Sequence, residues 1–307
     1  MKPASMCTLT SLVALILLLA CGTESGELPS APVNLGPVVN SAVGDIEVSI
    51  SKDGLSLYLA SSRPGGFGGF DIWVSQRASV DDPWGTPQNL GPAINTSARE
   101  QAPFLSLDGH RMYFFSNRPG GFGGTDLYVS RRRDKRDDFG WQPPENLGSG
   151  VNGSFNETLP VYFEDDASGT ATLYFGSNRP GMGGTDIYAS ALRPDETFGP
   201  AVLVAELNSS FRDAGFAIRR DGLEMFLASD RTGTFGAFDL WVTTRASTSD
   251  LWSTPVNLGP VVNSAADDSR GAISFDGTTL YMESDRPGGF GDHDLYVTAR
   301  AKLRGSN

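Results

Sequence analysis

The chain is punctuated by short apolar runs. Leu57-Tyr58-Leu59, Met112-Tyr113-Phe114-Phe115, Leu173-Tyr174-Phe175, Met225-Phe226-Leu227 and Leu280-Tyr281-Met282 are apolar at consecutive positions, not only at alternate ones. Runs this short, bounded by Gly, Asp and Asn, predict strands covered on both faces. A preceding set of strands ends in Asp-Gly at Asp53, Asp108, Asp221 and Asp276. Asp-Gly between apolar runs predicts a hairpin, because the turn needs positive φ. A third strand starts at Asp71, Asp126, Asp186, Asp239 and Asp294, after a glycine-rich turn. A fourth is the Asn-Leu-Gly segment following Pro87, Pro144 and Pro255, with a divergent copy near Pro200 to Leu207.

These strands belong to one repeated unit. SNRPGGFGGTDLYVS, Ser116 to Ser130, returns in variant form from Ser61, Ser177, Ser229 and Ser284. Its arginines, Arg63, Arg118, Arg179, Arg231 and Arg286, are 55, 61, 52 and 55 residues apart. A period of that size means one supersecondary unit stacked on copies of itself. Five units of four strands predict an all-β fold: a five-bladed β-propeller of four-stranded antiparallel blades. The repeat cores run over approximately 45–91, 100–148, 157–207, 213–259 and 268–300. An extra Asn-Leu-Gly segment at Pro32 precedes the first unit, and the last unit has none. Residues 32–36 are therefore expected to complete the last blade against residues 294–299. That N-terminal strand closes the ring and removes a free sheet edge. The propeller spans 32–303.

Phe104-Leu105-Ser106-Leu107-Asp108-Gly109, the Ser-Asn-Arg of Ser116 to Arg118 and Gly123-Gly124-Thr125-Asp126-Leu127-Tyr128-Val129 resemble the PD40, or WD40-like, repeat. That repeat builds the TolB propeller and occurs in many bacterial envelope proteins. The resemblance covers about residues 32–300 and implies the propeller fold. TolB has six blades and an additional N-terminal domain, so its partner-binding residues do not transfer to a chain of five units.

The N-terminus adds a location. Lys2, an apolar run from Leu12 to Ala20 and then Cys21 fit a secretory signal over 1–20. Leu18-Leu19-Ala20-Cys21 resembles a bacterial lipobox, which implies that Cys21 is lipidated and that 21–31 is a lipidated linker. Gly22 after the cysteine favours the outer membrane. Loss of Cys7 with the signal and acylation of Cys21 leave no cysteine for a disulfide framework. The expectation is an exported protein, lipid-anchored in the cell envelope, touching membrane through its anchor only.

Charge excludes one class and leaves others open. A net charge of −12 argues against nucleic acid, whose phosphates need a basic face. The repeated charges read first as architecture. Each arginine is expected near the aspartate that follows it, pairing Arg63 with Asp71, Arg118 with Asp126, Arg179 with Asp186, Arg231 with Asp239 and Arg286 with Asp294. A second acidic set, Asp45, Glu100, Glu157, Asp213 and Asp268, has two readings. It joins the arginines in one network, or it rings a channel mouth and holds a cation there. No cofactor is otherwise expected.

The aromatics Trp73, Tyr128, Tyr188, Trp241 and Tyr296 read as packing between blades, or as a sugar-stacking platform. The charge run from Arg131 to Asp138 reads as a solvated loop, or as a docking site. Catalytic signals are sparse. His110 and His293 lack metal-ligand spacing, and the prominent acids are repeated, whereas a glycosidase needs carboxylates particular to one site. Glu47, Glu224 and Glu283 are the non-repeated candidates. The resulting expectation is a monomeric, non-catalytic binding scaffold with no catalytic residues, offered to an envelope protein or polysaccharide. A glycan-binding lectin or a five-bladed-propeller glycoside hydrolase is the alternative.

Overall fold

The computed structural model describes residues 30–301. The signal segment 1–20, Cys21 and residues 22–29 lie outside the described residues. Strand β1 (Val33–Asn34) comes first. Blade one follows with β2 (Asp45–Ile50), β3 (Ser56–Ser61), β4 (Asp71–Gln76) and β5 (Gln88–Asn89). Blade two has β6 (Glu100–Leu105), β7 (Arg111–Ser116), β8 (Asp126–Arg131) and β9 (Glu145–Asn146). Blade three has β10 (Glu157–Asp165), β11 (Thr170–Ser177), β12 (Asp186–Ala191) and β13 (Val202–Leu203). Blade four has β14 (Asp213–Ile218), β15 (Glu224–Ser229), β16 (Asp239–Thr244) and β17 (Val256–Asn257). Blade five has β18 (Asp268–Ile273), β19 (Thr279–Ser284) and β20 (Asp294–Ala299), and β1 is its outermost strand. Val33 pairs with Val297 and Asn34 with Tyr296, both antiparallel. The fold is a five-bladed, all-β propeller closed by its N-terminal strand. The only helical turn among the described residues is a 3-10 turn, Ala205–Leu207.

The repeated charges hold each blade to the one before, through the second acidic set and not through the aspartates that follow the arginines. Arg63, Arg118, Arg179, Arg231 and Arg286 each point Nη2 at the first-strand acid of their blade: Asp45, Glu100, Glu157, Asp213 and Asp268, at 2.5–3.1 Å. The same Nη2 donates to a carbonyl in the connection from the preceding blade: Val39, Ile94, Val151, Leu207 or Val262. All five acids are 0% exposed. They are therefore not an open ring at the channel mouth, and a cation cannot reach them there. The other oxygen of the acid accepts a backbone N–H from the same connection, as at Ser41, Thr96 and Ser209.

The third-strand aspartates have a separate task. Asp71, Asp126, Asp186, Asp239 and Asp294 accept the backbone N–H groups of the glycine loop, as Asp126 does from Phe122 and Gly123. In four blades they also accept the amide of an outer-strand asparagine: Asn34, Asn89, Asn146 or Asn257. Their oxygens are taken by these N–H and amide groups, and the arginines turn to the first-strand acids. Glycine is required where the loop crosses to the next blade. A Cβ on Gly123 would lie 2.0 Å from the Phe155 carbonyl oxygen.

Packing between blades uses aromatic plugs. Trp141 meets Tyr58 of the preceding blade edge-on at 6.3 Å, and Phe198 meets Tyr113 in the same way. Arg77, Arg132 and Arg245 stack on Trp84, Trp141 and Trp252 at 4.2–4.4 Å. The charge run of blade two is thus partly internal. Arg132 and Asp138 are buried and paired at 2.6 Å, and Asp138 also accepts from Ser56, Tyr58 and Gln76 of blade one. Its solvated part is the stretch between them. Glu224 is structural too: it is buried and paired with Arg300 across the blade four to blade five seam.

Trp73, Tyr128, Tyr188, Trp241 and Tyr296 are buried beneath the repeated arginines, at 5.0–5.4 Å from ring centre to guanidinium. They cannot stack on a sugar. Removing one arm of a buried ion pair strands the other. Arg118→Ala is expected to destabilise the propeller by about 3 kcal/mol, whereas Arg131→Ala, on an exposed pair, changes stability by less than about 1 kcal/mol. Chemical denaturation of the two variants checks the contrast.

Candidate functional site at the channel mouth

Every first strand carries a bulge at the same place. The pairing register slips after Ile46, Gln101, Thr158, Ala214 and Ser269. The residue after each slip is left-handed: Glu47, Ala102, Leu159, Gly215 and Arg270 have φ of 55°, 53°, 54°, 56° and 40°. The bulge is architecture, shared by all five blades. The side chains on it are not shared. Blades two and three place Ala and Leu there, blade four has only glycine, and blades five and one place Arg270 and Glu47 side by side.

The glycine and the arginine fit together. A Cβ on Gly215 would lie 2.5 Å from Arg270 Cγ, so the missing side chain of blade four is the room that Arg270 occupies. Arg270 Nη1 is 2.9 Å from Glu47 Oε1 and 3.4 Å from Oε1 of Glu283, on β19. Glu283 Oε2 accepts the backbone N–H of Glu47 at 2.6 Å, and Glu47 Oε2 accepts that of Ala102 at 2.8 Å. The two carboxyls are 4% and 2% exposed. Two acids share one guanidinium, and Arg99, His293 and Asp267 act on them from farther off.

Burial dominates their titration. It pushes Glu47 up to about 7, against the attraction of Arg270 and with the repulsion of Glu283 adding to the rise. Burial pushes Glu283 up as well, opposed by Arg270 and by the Glu47 N–H. The pair titrates together and keeps a proton near neutrality.

Outside them lies a pocket of about 540 Å³, lined by Glu283, Arg270, Asp267, His293, Phe70 and Phe238 among others. It is built by blades four, five and one. Asp267 behaves oppositely to the buried pair. Burial would raise it, but His293 with Ser269 and Arg270 outweighs burial and holds the carboxyl below its ordinary range. His293 Nε2 lies 4.0 Å from Asp267 Oδ2, and Asp267 Oδ1 is buried without a hydrogen-bond partner. The nearby Asp267 carboxylate in turn raises His293, against its partial burial. Among the described residues, no group of three or more His, Cys, Asp or Glu is placed to hold a metal ion.

Glu47 and Glu283 are two of the three non-repeated acids picked out in the sequence, and the structure brings them together. Glu224 lies elsewhere, as does His110, whose Nδ1 is 3.0 Å from the Arg132 carbonyl oxygen on the outer side of blade two. Arg270, Asp267 and Gly215 were missed. The signal for them is a comparison of equivalent positions around the ring. Asp267 corresponds to Gly44, Arg99, Asn156 and Arg212. Glu283 corresponds to Ala60, Phe115, Gly176 and Ala228. Read across the units, the odd member falls in blade five at both.

No protein-family model and no curated sequence matches the chain. Solved structures with the same fold do. An α-L-arabinofuranosidase from Lactobacillus brevis superposes with a TM-score of 0.61 at 16% identity, over 86% of this chain and 92% of that one. An endo-arabinase from Bacteroides thetaiotaomicron gives 0.58 at 17% identity, over 91% and 99%. A structure described as TolB, from Agrobacterium tumefaciens, gives 0.52 at 16% identity, over 91% and 87%. At these identities the likeness establishes the fold.

It also corrects the expectation of a non-catalytic scaffold. That expectation took a ring whose acids are all repeated to be without chemistry of its own. The neighbours are mostly glycoside hydrolases on this same ring, and the ring here carries non-repeated acids in one pocket.

The raised Glu47 makes a prediction about pH. Its folded pKa lies above its unfolded value, so the folded state holds a proton that the unfolded chain has lost. The stability contributed by this site is full below about 4.5 and is lost as pH rises through about 7. In Glu47→Gln the corresponding loss of melting temperature between pH 4.5 and 7.5 is expected to shrink, measured against the wild type by calorimetry.

Proposed function

We propose that this protein is a glycoside hydrolase working at the mouth of the propeller channel. One observation carries the reading: a single asymmetric pocket holds two non-repeated carboxyls whose environments drive them apart. Burial pushes Glu283 up from its ordinary range, the direction that suits a proton donor. Asp267, held down beside His293, is a carboxylate. Two acids with opposite shifts in one cavity are the pattern that general acid and base catalysis requires.

In the reaction Glu283 gives its proton to the glycosidic oxygen as the bond from that oxygen to the anomeric carbon breaks. Asp267 takes a proton from the water that attacks the anomeric carbon. Glu47 shares the acid's proton through the Arg270-bridged pair and sets when it is available; it is a positioning residue. The arabinofuranosidase and arabinase neighbours make arabinose-containing glycans the first substrates to try.

The chain is further read as an exported envelope lipoprotein of the PD40 repeat type, anchored through Cys21 in the outer membrane, with a polysaccharide as its partner. What supports this is the lipobox-like Leu18 to Cys21 and the Ser-Asn-Arg and Asp-Leu-Tyr-Val signatures of the units. Cys21→Ser is expected to abolish metabolic labelling with palmitate and to release the protein from membranes. Labelling that survives the substitution sinks the anchor.

The catalytic reading is tested on 4-nitrophenyl α-L-arabinofuranoside and debranched arabinan. Glu283→Gln and Asp267→Asn are each expected to lower kcat by at least about 100-fold with the fold intact by circular dichroism. Azide or formate should partly restore Asp267→Asn if the lost group is a base. Wild-type levels of hydrolysis in both variants would overturn the assignment.

A further inference from the structure

The glycine loops carry a feature that neither the ring's stability nor the carboxyl pocket uses. Phe67, Phe122, Met182, Phe235 and Phe290 stand at one equivalent position in the five loops, and all are 47–52% exposed. The loop needs the backbone of this residue, whose N–H is donated to the third-strand aspartate in every blade. It does not need an apolar side chain there. About half of each side chain is left in water at a cost in hydration, on a loop whose backbone is hydrogen-bonded to the third-strand aspartate.

The arrangement selects the kind of ligand. Each of these side chains has glycine on at least one side, so its apolar face is not extended along the chain. A protein interface is built around a contiguous desolvated core. A sugar ring needs only one flat apolar face under its C–H side and leaves its hydroxyls in water. The loop is held in place beforehand, so little ordering cost falls on binding.

Position picks out three of the five. Phe67, Phe235 and Phe290 come three residues before Phe70, Phe238 and His293, which line the carboxyl pocket. Phe122 and Met182 belong to blades two and three, none of whose residues line it. We infer that Phe67, Phe235 and Phe290 are stacking subsites for successive residues of a glycan chain laid across the pocket. The substrate is then a polymer, not a short glycoside. The inference rests on the glycosidase reading and extends it to substrate length.

The experiment compares the triple variant Phe67→Leu/Phe235→Leu/Phe290→Leu with the double variant Phe122→Leu/Met182→Leu. Leucine keeps apolar volume against the loop and removes the flat ring, and thermal unfolding verifies that both variants fold. The expected result is a KM for debranched arabinan raised about tenfold or more in the triple variant. That loss should exceed its loss on 4-nitrophenyl α-L-arabinofuranoside by a similar factor, and the double variant should match the wild type on both.

A triple variant indistinguishable from the double one overturns the inference while leaving the glycosidase reading in place. A triple variant that changes only the sedimentation coefficient assigns the loops to self-association and also overturns it. If the wild type hydrolyses neither substrate, the glycosidase reading fails. Affinity electrophoresis in arabinan gels then decides the subsites alone: retardation lost in the triple variant keeps them, and no retardation of the wild type removes them.

Discussion

Each blade is fastened to its predecessor by one guanidinium that does two things at once. Its Nη2 neutralises a carboxylate that is out of water, and it donates to a backbone carbonyl arriving from the blade before. The carboxylate in turn takes up a backbone N–H of that same incoming connection. A buried charge without such partners is costly, and a buried carbonyl without a donor nearly so. Here both demands are met by one side chain, and the pairing crosses the seam between blades. The ring is therefore closed by polar geometry as well as by apolar packing. The channel mouth inherits its shape from five copies of this contact.

Much of this was legible in the chain because symmetry makes repetition visible. The five arginines, the five aspartates and the Asp-Gly turns give the number of blades and the strand order. The unpaired segment at Pro32 gives the closure, which the register of Val33 and Asn34 with β20 shows. The sequence put both acidic sets near the arginines, and left open which of them an arginine would hold. Arg63 is two residues from Ser61 and only eight from Asp71, so proximity in the chain favoured Asp71. The glycine loop instead presents its own N–H groups to Asp71, and the arginine turns to Asp45, 18 residues back. Local spacing says which groups are near a turn. It does not say which of two carboxylates a backbone will have claimed first.

The candidate site was legible in part for a related reason. Glu47 and Glu283 could be singled out because they break the repeat. Their meeting could not, because it depends on a bulge that rotates residue 47 toward the channel, and no local composition marks that bulge: Glu, Ala, Leu, Gly and Arg all occupy it. Gly215 illustrates the difficulty. In a strand it reads as a weak residue, yet its use is to leave the volume that Arg270 fills. A residue whose function is to be absent has no signature in its own sequence.

The bulge also shows how far strain can be used as an argument for function. A non-glycine residue held left-handed costs on the order of 1–3 kcal/mol, and four of the five blades carry that cost at this position. Were strain itself the mark of a site, Ala102 and Leu159 would be as suspect as Glu47. They are not, since Ala102 and Leu159 turn apolar atoms inward and are buried among apolar neighbours. What differs is that blades five and one hang opposite charges on adjacent bulges, and add a third charge, Glu283, where the other four second strands have Ala, Phe, Gly and Ala. Two acids on one cation leave an excess negative charge in a buried place, and the cheapest relief is a proton. The seam between blades five and one is thus the place where the ring departs from its own repeat in charge.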